Sequence, residues 1–281
     1  MNKNTNTFIG FDNEYSESKI VVFGSPFDGT TSFRPGTRFA PEKMRLESYG
    51  LETYSPYQDK DLEDINVFDS GDLEFPFGNT NKVLDIIKKN VTKIIEDFKI
   101  PLMIGGEHLV SLPSIEAAYN RYKDLCVLHF DAHADLRDDY LGEKLSHATV
   151  IRRVWDIIGD NKIFQFGIRS GDKEEFLWAK NHTSMNKFNL NSLEKIIDLI
   201  GQTPVYVTID LDIIDPSILS GTGTPEPGGV NFNDLINNII KLNKLNIVGA
   251  DIVELSPHYD NSGVSTIVAC KVLRELVLAI Y

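Results

Sequence analysis

The chain reads LCVLHFDAHAD from residue 125 to residue 135. Its first half, residues 125–130, is short and nearly all apolar, which is typical of a strand buried on both faces. Asp131, His133 and Asp135 follow directly, and in extended backbone alternate side chains point the same way. The segment therefore predicts a buried strand that brings two carboxylates and an imidazole together at its end.

Six other short apolar runs have the same character, and most are separated by amphipathic stretches with apolar residues at three- and four-residue spacing. This alternation predicts an α/β fold, with a mainly parallel sheet covered by helices on both faces. No linker, low-complexity segment or internal repeat is visible, so we expect a single domain over residues 1–281. The predicted strands are residues 20–23, 65–68, 101–104, 125–130, 162–168, 205–209 and 247–253, and the predicted helices are residues 82–98, 112–122, 148–158, 173–179, 193–200, 232–242 and 265–280.

The chain carries a formal net charge of −13. This excess of acidic residues argues against a general nucleic-acid binder, because contact with phosphates requires clustered Lys and Arg. Two interpretations stay open for the charge itself. It either keeps the surface soluble or, if concentrated at a cleft, favours a small cationic substrate.

Two features argue against a secreted or membrane-bound protein. Residues 1–7 are polar, and charged side chains interrupt the most apolar stretch, residues 264–281, which is typical of a packed helix. Cys126 and Cys270 each lie in an apolar run without a C-x-x-C pair, as expected for buried, reduced thiols. We therefore expect a cytoplasmic protein.

Asp131, His133 and Asp135 form a candidate metal site. Burying such groups side by side is costly unless their charge is compensated, and a divalent cation does this. The alternative is that the aspartates serve only as helix caps or turn residues, where Asp is common. A second predicted strand, VYVTIDLD, repeats the alternate spacing with Asp210 and Asp212. We expect the two strand ends to contribute to one site.

His108 is a weaker candidate by pattern alone. It follows a predicted strand and two glycines, Gly105 and Gly106, which let the backbone bend and approach a neighbour closely. A lone histidine more often has a structural role, but three strand ends that carry polar groups favour a shared site. His129, inside its predicted strand, is instead expected to be a hydrogen-bonded core side chain.

The candidate donor set is four aspartates and two histidines. It contains no thiol, which excludes a structural zinc site. Carboxylates with some imidazole suit Mn²⁺, while Mg²⁺, Fe²⁺, Co²⁺ and Zn²⁺ stay possible. Six protein ligands are too many for one catalytic ion that needs an open position, so we expect two ions about 3.5–4 Å apart.

With these residues in place, the sequence resembles the ureohydrolase family, which includes arginase, agmatinase and formimidoylglutamase. The resemblance spans nearly the whole chain and rests on motifs that occur in family order. They are SFRPGTRFAP (32–41), GGEH (105–108), DAHAD (131–135), SHATVIRR (146–153), DLDIIDP (210–216), GTGTPEPGG (221–229) and VELSP (253–257).

This resemblance implies an arginase-like three-layer α/β/α fold with about eight strands. It also implies two Mn²⁺ ions per subunit, which activate a hydroxide that releases urea from a guanidinium group. Asp131 and Asp210 correspond to the bridging ligands, and Asp135 also helps to stabilise the tetrahedral intermediate. The implied metal ligands are His108, Asp131, His133, Asp135, Asp210 and Asp212.

Two further residues gain a role from the resemblance. His147 corresponds to the family's proton-shuttling histidine, and a pKa near neutrality suits imidazole to that task. The alternative for His147 is an ordinary residue at the start of a helix. Glu254 corresponds to the acidic residue that receives the substrate's guanidinium, which a carboxylate can bind through two hydrogen bonds.

The loop between DAHAD and His147 is the clue to the substrate. It contains Asp138, Asp139 and Glu143 and no asparagine, which favours a substrate with an amine end; a solvated acidic loop is the alternative. Residues 131–154 also look most like the bacterial and archaeal agmatinase branch. We therefore expect hydrolysis of agmatine to putrescine and urea, in a homotrimer or homohexamer by analogy with relatives.

Several alternative functions stay open. Other ureohydrolases act on guanidinobutyrate, on an aminopropylagmatine or on arginine. A deacetylase-like metal hydrolase shares a related fold, although the SHATVIRR and VELSP motifs disfavour it. A non-catalytic homologue would keep the metal ligands without turning over a guanidine.

Overall fold

The computed structural model describes residues 4–281. Within that range eight strands form one sheet in which every neighbouring pair is parallel, and a small antiparallel hairpin lies outside it. The strands are β1 (Ile20–Gly24), β2 (Tyr54–Ser55), β3 (Lys60–Asp61), β4 (Val67–Asp72), β5 (Ile100–Ile104), β6 (Cys126–Phe130), β7 (Ile163–Ile168), β8 (Ser184–Lys187), β9 (Pro204–Asp210) and β10 (Asn246–Val253). The helices are α1 (Ala40–Ser48), α2 (Thr80–Glu96), α3 (Ser111–Arg121), α4 (Val150–Ile158), α5 (Lys173–His182), α6 (Leu193–Ile200), α7 (Phe232–Ile239) and α8 (Val264–Ile280).

The strand order in the large sheet is β4-β1-β5-β10-β9-β6-β7-β8. β6 follows β5 along the chain, yet β10 and β9, which come last in the sequence, lie between them in space. The carboxyl ends of these four central strands therefore meet at one edge of the sheet, which is where open α/β sheets bind ligands. All six candidate metal ligands and Glu254 lie at or just after these strand ends.

Helices cover both faces of the sheet and create three layers. On one face α2, α3 and α4 pack against strand side chains such as Val21 and Val127. On the other face α1, α6, α7 and α8 pack against the alternate side chains, such as Val22 and Leu128. Because both sides of each central strand are buried, apolar residues run continuously along it. The expected three-layer α/β/α fold with a parallel sheet of eight strands is confirmed.

The apolar pattern does not predict β8 or α1. β8 is a partly buried edge strand made of Ser, Met, Asn and Lys, so its sequence contains no apolar run. α1 lies within and after the SFRPGTRFAP motif and buries one side only, through Ala40, Met44 and Arg45. Arg45 can be buried because it forms an ion pair with Asp69 at 2.8 Å. Both elements depend on tertiary contacts, which local sequence patterns do not contain.

The C-terminal apolar stretch forms α8, a packed helix as predicted. Its buried Arg274 donates to the neighbouring Glu275 at 2.7 Å, and Ser55 donates to the other oxygen of Glu275 at 2.7 Å, so both charges have partners. None of the helices in residues 4–281 combines the length and the apolar character needed to cross a membrane. Cys126 and Cys270 are buried and free, as expected.

Candidate metal centre

The predicted ligands meet at the carboxyl ends of β5, β6 and β9. Asp131 follows β6 directly, and Asp210 is the last residue of β9. His108 begins a 3-10 turn after β5, and Asp212 lies in another after β9. Asp135 adopts a left-handed backbone with a φ of +55°, which is uncommon for a residue other than glycine. Three strands thus bring the side chains to one point.

His108 lies at the centre of what we call the inner group, which also contains Asp131, Asp135 and Asp210. The His108 Nδ1 atom lies 3.1 Å from Asp131 Oδ2 and 3.3 Å from an oxygen of each of the other two carboxylates. All four side chains are buried, and Nδ1 has no hydrogen-bond partner in residues 4–281. A buried ring nitrogen without a partner, facing three carboxylate oxygens, fits a metal ligand.

His133 lies at the centre of the outer group, together with Asp131 and Asp212. Its Nδ1 atom lies 2.9 Å from Asp212 Oδ2 and 3.6 Å from Asp131 Oδ1. One ligand atom from each of these three residues lies within 4.8 Å of the other two. Asp131 therefore belongs to both groups, since its Oδ2 faces His108 and its Oδ1 faces His133.

A hydrogen-bonded chain beneath the inner group determines which nitrogen of His108 is free. Thr208 Oγ1 donates to Asp251 Oδ1 at 2.6 Å, and so it accepts from the Nε2–H of His108 at 2.9 Å. Tyr206 donates its hydroxyl to the second oxygen of Asp251 at 2.8 Å. Nε2 of His108 therefore carries a proton, which leaves Nδ1 as the nitrogen that faces the carboxylates and is available to a metal ion.

The buried carboxylates of the cluster repel one another, and this favours binding of a cation. Burial, and then the adjacent Asp131 carboxylate, raise the pKa of Asp135 to about 7. Burial and the neighbouring Asp212 and Asp131 carboxylates likewise raise the pKa of Asp210 well above its usual range. Buried carboxylates that disfavour one another's charge in this way are stabilised when a divalent cation binds between them. With only carboxylate and imidazole donors, the cluster is suited to a metal such as Mn²⁺.

Glu254 follows β10 and lies next to the inner group. Its backbone is left-handed, with a φ of +65°, and its Oε1 atom accepts a hydrogen bond from the His108 backbone N–H at 2.7 Å. Burial, and then the nearby Glu107 carboxylate, raise the pKa of Glu254 well above its usual range. The side chain is therefore a buried acid beside the centre that a cationic ligand would stabilise in its charged form.

His147 begins the 3-10 turn that leads into α4. Its Nε2 atom lies 2.9 Å from Ser32 Oγ, and its backbone N–H donates to Thr30 Oγ1 at 3.2 Å. Thr30 is itself fixed by the fully buried Glu107, which accepts from the Thr30 N–H at 2.9 Å. Burial, and then the His133 and His108 rings, lower the pKa of His147 to about 4, well below the near-neutral value expected from the sequence. The ring is therefore neutral at pH 7.

A cleft of about 260 Å³ opens over the outer group. Its charged lining includes Asp135, Arg137, Asp172 and Glu175 beside His133 and His147. The acidic loop residues singled out from the sequence do not line this cleft. Asp138 accepts from Arg153 at 2.8 Å, Asp139 accepts from the Gly142 N–H at 3.0 Å, and Glu143 lines a neighbouring cavity.

Comparison with known proteins identifies the chain's family. The model of the arginase family matches residues 18–279. This chain belongs to the arginase family. It is 47% identical to the agmatinase of Bacillus cereus over 276 residues. The match covers 96% of this chain and 95% of the relative.

Solved structures of other arginase-family members agree. A crystal structure from Clostridium difficile, provisionally assigned as an agmatinase, has 56% identity and a TM-score of 0.94, covering 95% of this chain and 98% of that one. The agmatine ureohydrolase of Thermoplasma volcanium has 35% identity and a TM-score of 0.89, covering 99% and 94%. The chain is an arginase-family ureohydrolase, which confirms the resemblance drawn from its motifs and disfavours a deacetylase-like hydrolase.

The structure also brings residues to this arginase-family site that the sequence patterns did not indicate. Thr208, Asp251 and Glu107 support the metal ligands or His147, His129 contacts Asp131 directly, and Gln165 contacts His129. The signal that could have found most of them is a polar residue inside an otherwise apolar strand. Such a residue must have a buried partner, because an unpaired polar group in the core is costly.

Proposed function

We propose that this ureohydrolase hydrolyses agmatine to putrescine and urea at a centre of two Mn²⁺ ions. The observation that carries the two-ion centre is the position of Asp131, whose two oxygens face two separate histidine-containing groups. Asp210, whose Oδ2 lies 3.3 Å from His108 Nδ1, would be the second bridging ligand, as the family resemblance implies. The ligands would be His108, Asp131, His133, Asp135, Asp210 and Asp212.

Bound ions of this kind lower the pKa of water, so that hydroxide is available as a nucleophile at neutral pH. Glu254 receives the guanidinium of the substrate, and the positive charge stabilises the carboxylate form of this buried acid. Because Oε1 of Glu254 already accepts from His108, the other oxygen is available for the guanidinium. This contact would hold the guanidinium carbon beside the metal centre.

The hydroxide would add to the guanidinium carbon to give a tetrahedral intermediate, and the C–N bond to the amine product would then break as that nitrogen takes up a proton. Asp135 lies in the inner group and also lines the cleft, where it can accept a hydrogen bond from an amino group of the tetrahedral intermediate. His147 is neutral and is held by Ser32, so its ring can accept a proton and pass it to the leaving amine. The product amine and urea then leave through the cleft.

The outer wall of the cleft is suited to a substrate with an amine end. Asp172 and Glu175 lie there beside one cation, Arg137, whose Nη1 is 3.1 Å from Asp172 Oδ2 and whose Nε is 3.6 Å from Glu175 Oε2. Because this wall contains two carboxylates and only one guanidinium, it has an excess of acidic groups. Asp172, whose side chain is 41% exposed, would receive the terminal ammonium of agmatine. A guanidine with a terminal carboxylate would meet the same acidic wall unfavourably.

A urea-release assay across a small set of guanidines tests the proposal. The protein is stripped of metal, reloaded with Mn²⁺, Mg²⁺ or Zn²⁺, and given agmatine, arginine or guanidinobutyrate at equal concentration. We expect the highest kcat/KM for agmatine with Mn²⁺. Faster urea release from arginine would overturn the substrate, and release from none of the three would indicate a non-catalytic homologue.

We also propose that the enzyme works in the cytoplasm as a homotrimer or homohexamer. The two free, buried cysteines support a reducing compartment. The oligomer rests on analogy with relatives of the same fold. Light scattering of the purified protein measures it directly, and a monomer at micromolar concentration would contradict it.

A further inference from the structure

His129 is a fully buried imidazole in β6, a strand whose other residues are apolar. It lies two residues before Asp131, on the same face of the sheet, and its Nε2 atom is 2.8 Å from Asp131 Oδ2. It is not among the six proposed ligands. The question is whether this ring only fills space, binds a metal or acts on Asp131.

The partners of Gln165 in β7 determine the protonation of the His129 ring. The Gln165 Nε2 atom lies 2.9 Å from the Ala134 carbonyl oxygen, which can only accept, so this atom is the amide nitrogen. The same nitrogen lies 3.1 Å from His129 Nδ1, and Thr183 donates to Gln165 Oε1 at 2.9 Å. Nδ1 of His129 therefore accepts, and the ring proton is on Nε2, where it is donated to Asp131.

Both oxygens of Asp131 are consequently held by hydrogen bonds from this chain. Oδ2 accepts from His129 on the side of the inner group, and Oδ1 accepts from the backbone N–H of His133 on the side of the outer group. Each oxygen keeps a lone pair for a further ligand. Because both nitrogens of the His129 ring are already used, the ring has no lone pair left to bind a metal itself.

We propose that His129 is a positioning residue that holds Asp131 in the orientation that bridges two metal ions. The inference rests on the two-ion centre proposed above and adds to it a chain from Thr183 through Gln165 and His129 to Asp131. This chain also explains two features of the fold. It gives a partner to the buried amide of Gln165, and it connects the start of the edge strand β8 to the metal centre.

Four variants test the inference. His129→Phe keeps a planar ring but removes the N–H donor, whereas His129→Gln keeps an N–H at a similar reach from the backbone. Gln165→Met keeps His129 and the side-chain length but removes the amide that fixes the His129 tautomer. Ser55→Ala is the matched control, because it removes a buried hydrogen bond on the opposite side of the sheet, to Glu275 in α8.

The readouts are the number of Mn²⁺ ions bound in a titration and the electron paramagnetic resonance spectrum, which distinguishes a coupled ion pair from isolated ions. We expect His129→Phe to bind one ion about 10- to 100-fold more weakly and to lose most of the coupled signal. Gln165→Met should show the same change to a smaller degree. His129→Gln and Ser55→Ala should keep two ions and the coupled signal.

The outcomes separate this inference from the proposed function. A wild-type protein that binds two coupled ions, with a His129→Phe variant that does the same, overturns the role of His129 alone. Equal losses in His129→Phe and His129→Gln also overturn it, because the effect would then come from ring shape. If His129→Phe does not fold, unchanged metal binding in Gln165→Met overturns it. A wild-type protein without a coupled pair overturns the two-ion centre and the inference together.

Discussion

The inner and outer groups share Asp131 but have very different surroundings. In the inner group His108 is 1% exposed, and its second nitrogen donates to the buried hydroxyl of Thr208, which donates in turn to Asp251. In the outer group His133 is 24% exposed and faces the cleft with His147 nearby. One group is therefore part of the protein core, and the other forms the floor of the cleft.

This difference indicates a division of tasks between the two groups. We expect residues beneath the inner group to control how tightly metal is held, because their hydrogen bonds orient the ligands. We expect residues beside the outer group to control turnover, because water and substrate enter there. Substitutions that affect both groups, only the outer one or only the inner one should therefore give different results.

The largest effect is expected when the residue common to both groups is changed. Asp131→Asn removes the negative charge that both groups share, so both ions should be lost and kcat/KM should fall about 1,000-fold or more. Metal content and urea release measure this. Asp138→Asn, an exposed aspartate in the next loop, is the control and should retain both. An Asp131→Asn protein with two ions and wild-type turnover would disprove the shared role.

A change on the outer side alone should separate turnover from metal binding. His147→Asn removes the proposed proton carrier, and we expect kcat to fall about 100-fold or more while two ions stay bound. Steady-state kinetics with metal analysis tests this. His182→Asn, at a half-buried histidine paired with Asp160 away from the cleft, should leave kcat unchanged. If His147→Asn loses its metal as well, the two groups are not divided in this way.

A change beneath the inner group should do the opposite. Asp251→Asn weakens the acceptor that orients Thr208 and His108, and we expect metal to bind about 10- to 100-fold more weakly. Tyr206→Phe should have a smaller effect, because it leaves the contact between Thr208 and Asp251 intact. Competition with a metal-binding dye measures the affinities. Identical metal affinities in the wild type and Asp251→Asn would show that the hydrogen bonds from Asp251 through Thr208 to His108 do not affect metal binding.

The smallest effect is expected at the mouth of the cleft. Asp172→Asn keeps the helix cap of α5 but loses the charge, so the KM for agmatine should rise about two- to fivefold. The KM for a guanidine without a terminal amine should not change. Asp138→Asn should alter neither value, because its carboxylate pairs with Arg153 outside the cleft. An equal rise in KM for both substrates would show that Asp172 does not interact with the terminal amine.

Much of the fold could be predicted because β1, β5, β6, β9 and β10 are buried on both faces and therefore appear as apolar runs. The ligands at their ends were visible for the same reason, since a sudden group of polar residues after an apolar run is unusual. Asp131, His133 and Asp135 gave the strongest pattern. His108 and Glu254 gave weak ones, because each is a single polar residue in its segment.

The remaining features depend on contacts between distant parts of the chain. His129 looks like an isolated core residue until Gln165, 36 positions later, is placed beside it. The acidic loop looked suited to a substrate amine, but its Asp138 pairs with Arg153 and does not line the cleft. Asp172, which does line the cleft, resembles an ordinary helix cap in sequence. Spacing along the chain contains none of these pairings.

The strand order also has a consequence for how the protein is made. Because β10 and β9 lie between β5 and β6, a ribosome must synthesise the chain as far as residue 253 of 281 before the gap in the sheet can close. Until then β5 and β6 each present an unpaired edge, which is a surface prone to aggregation. Asp210 and Asp212 arrive with the same late segment, so the chain can assemble its full set of metal ligands only when the sheet is complete.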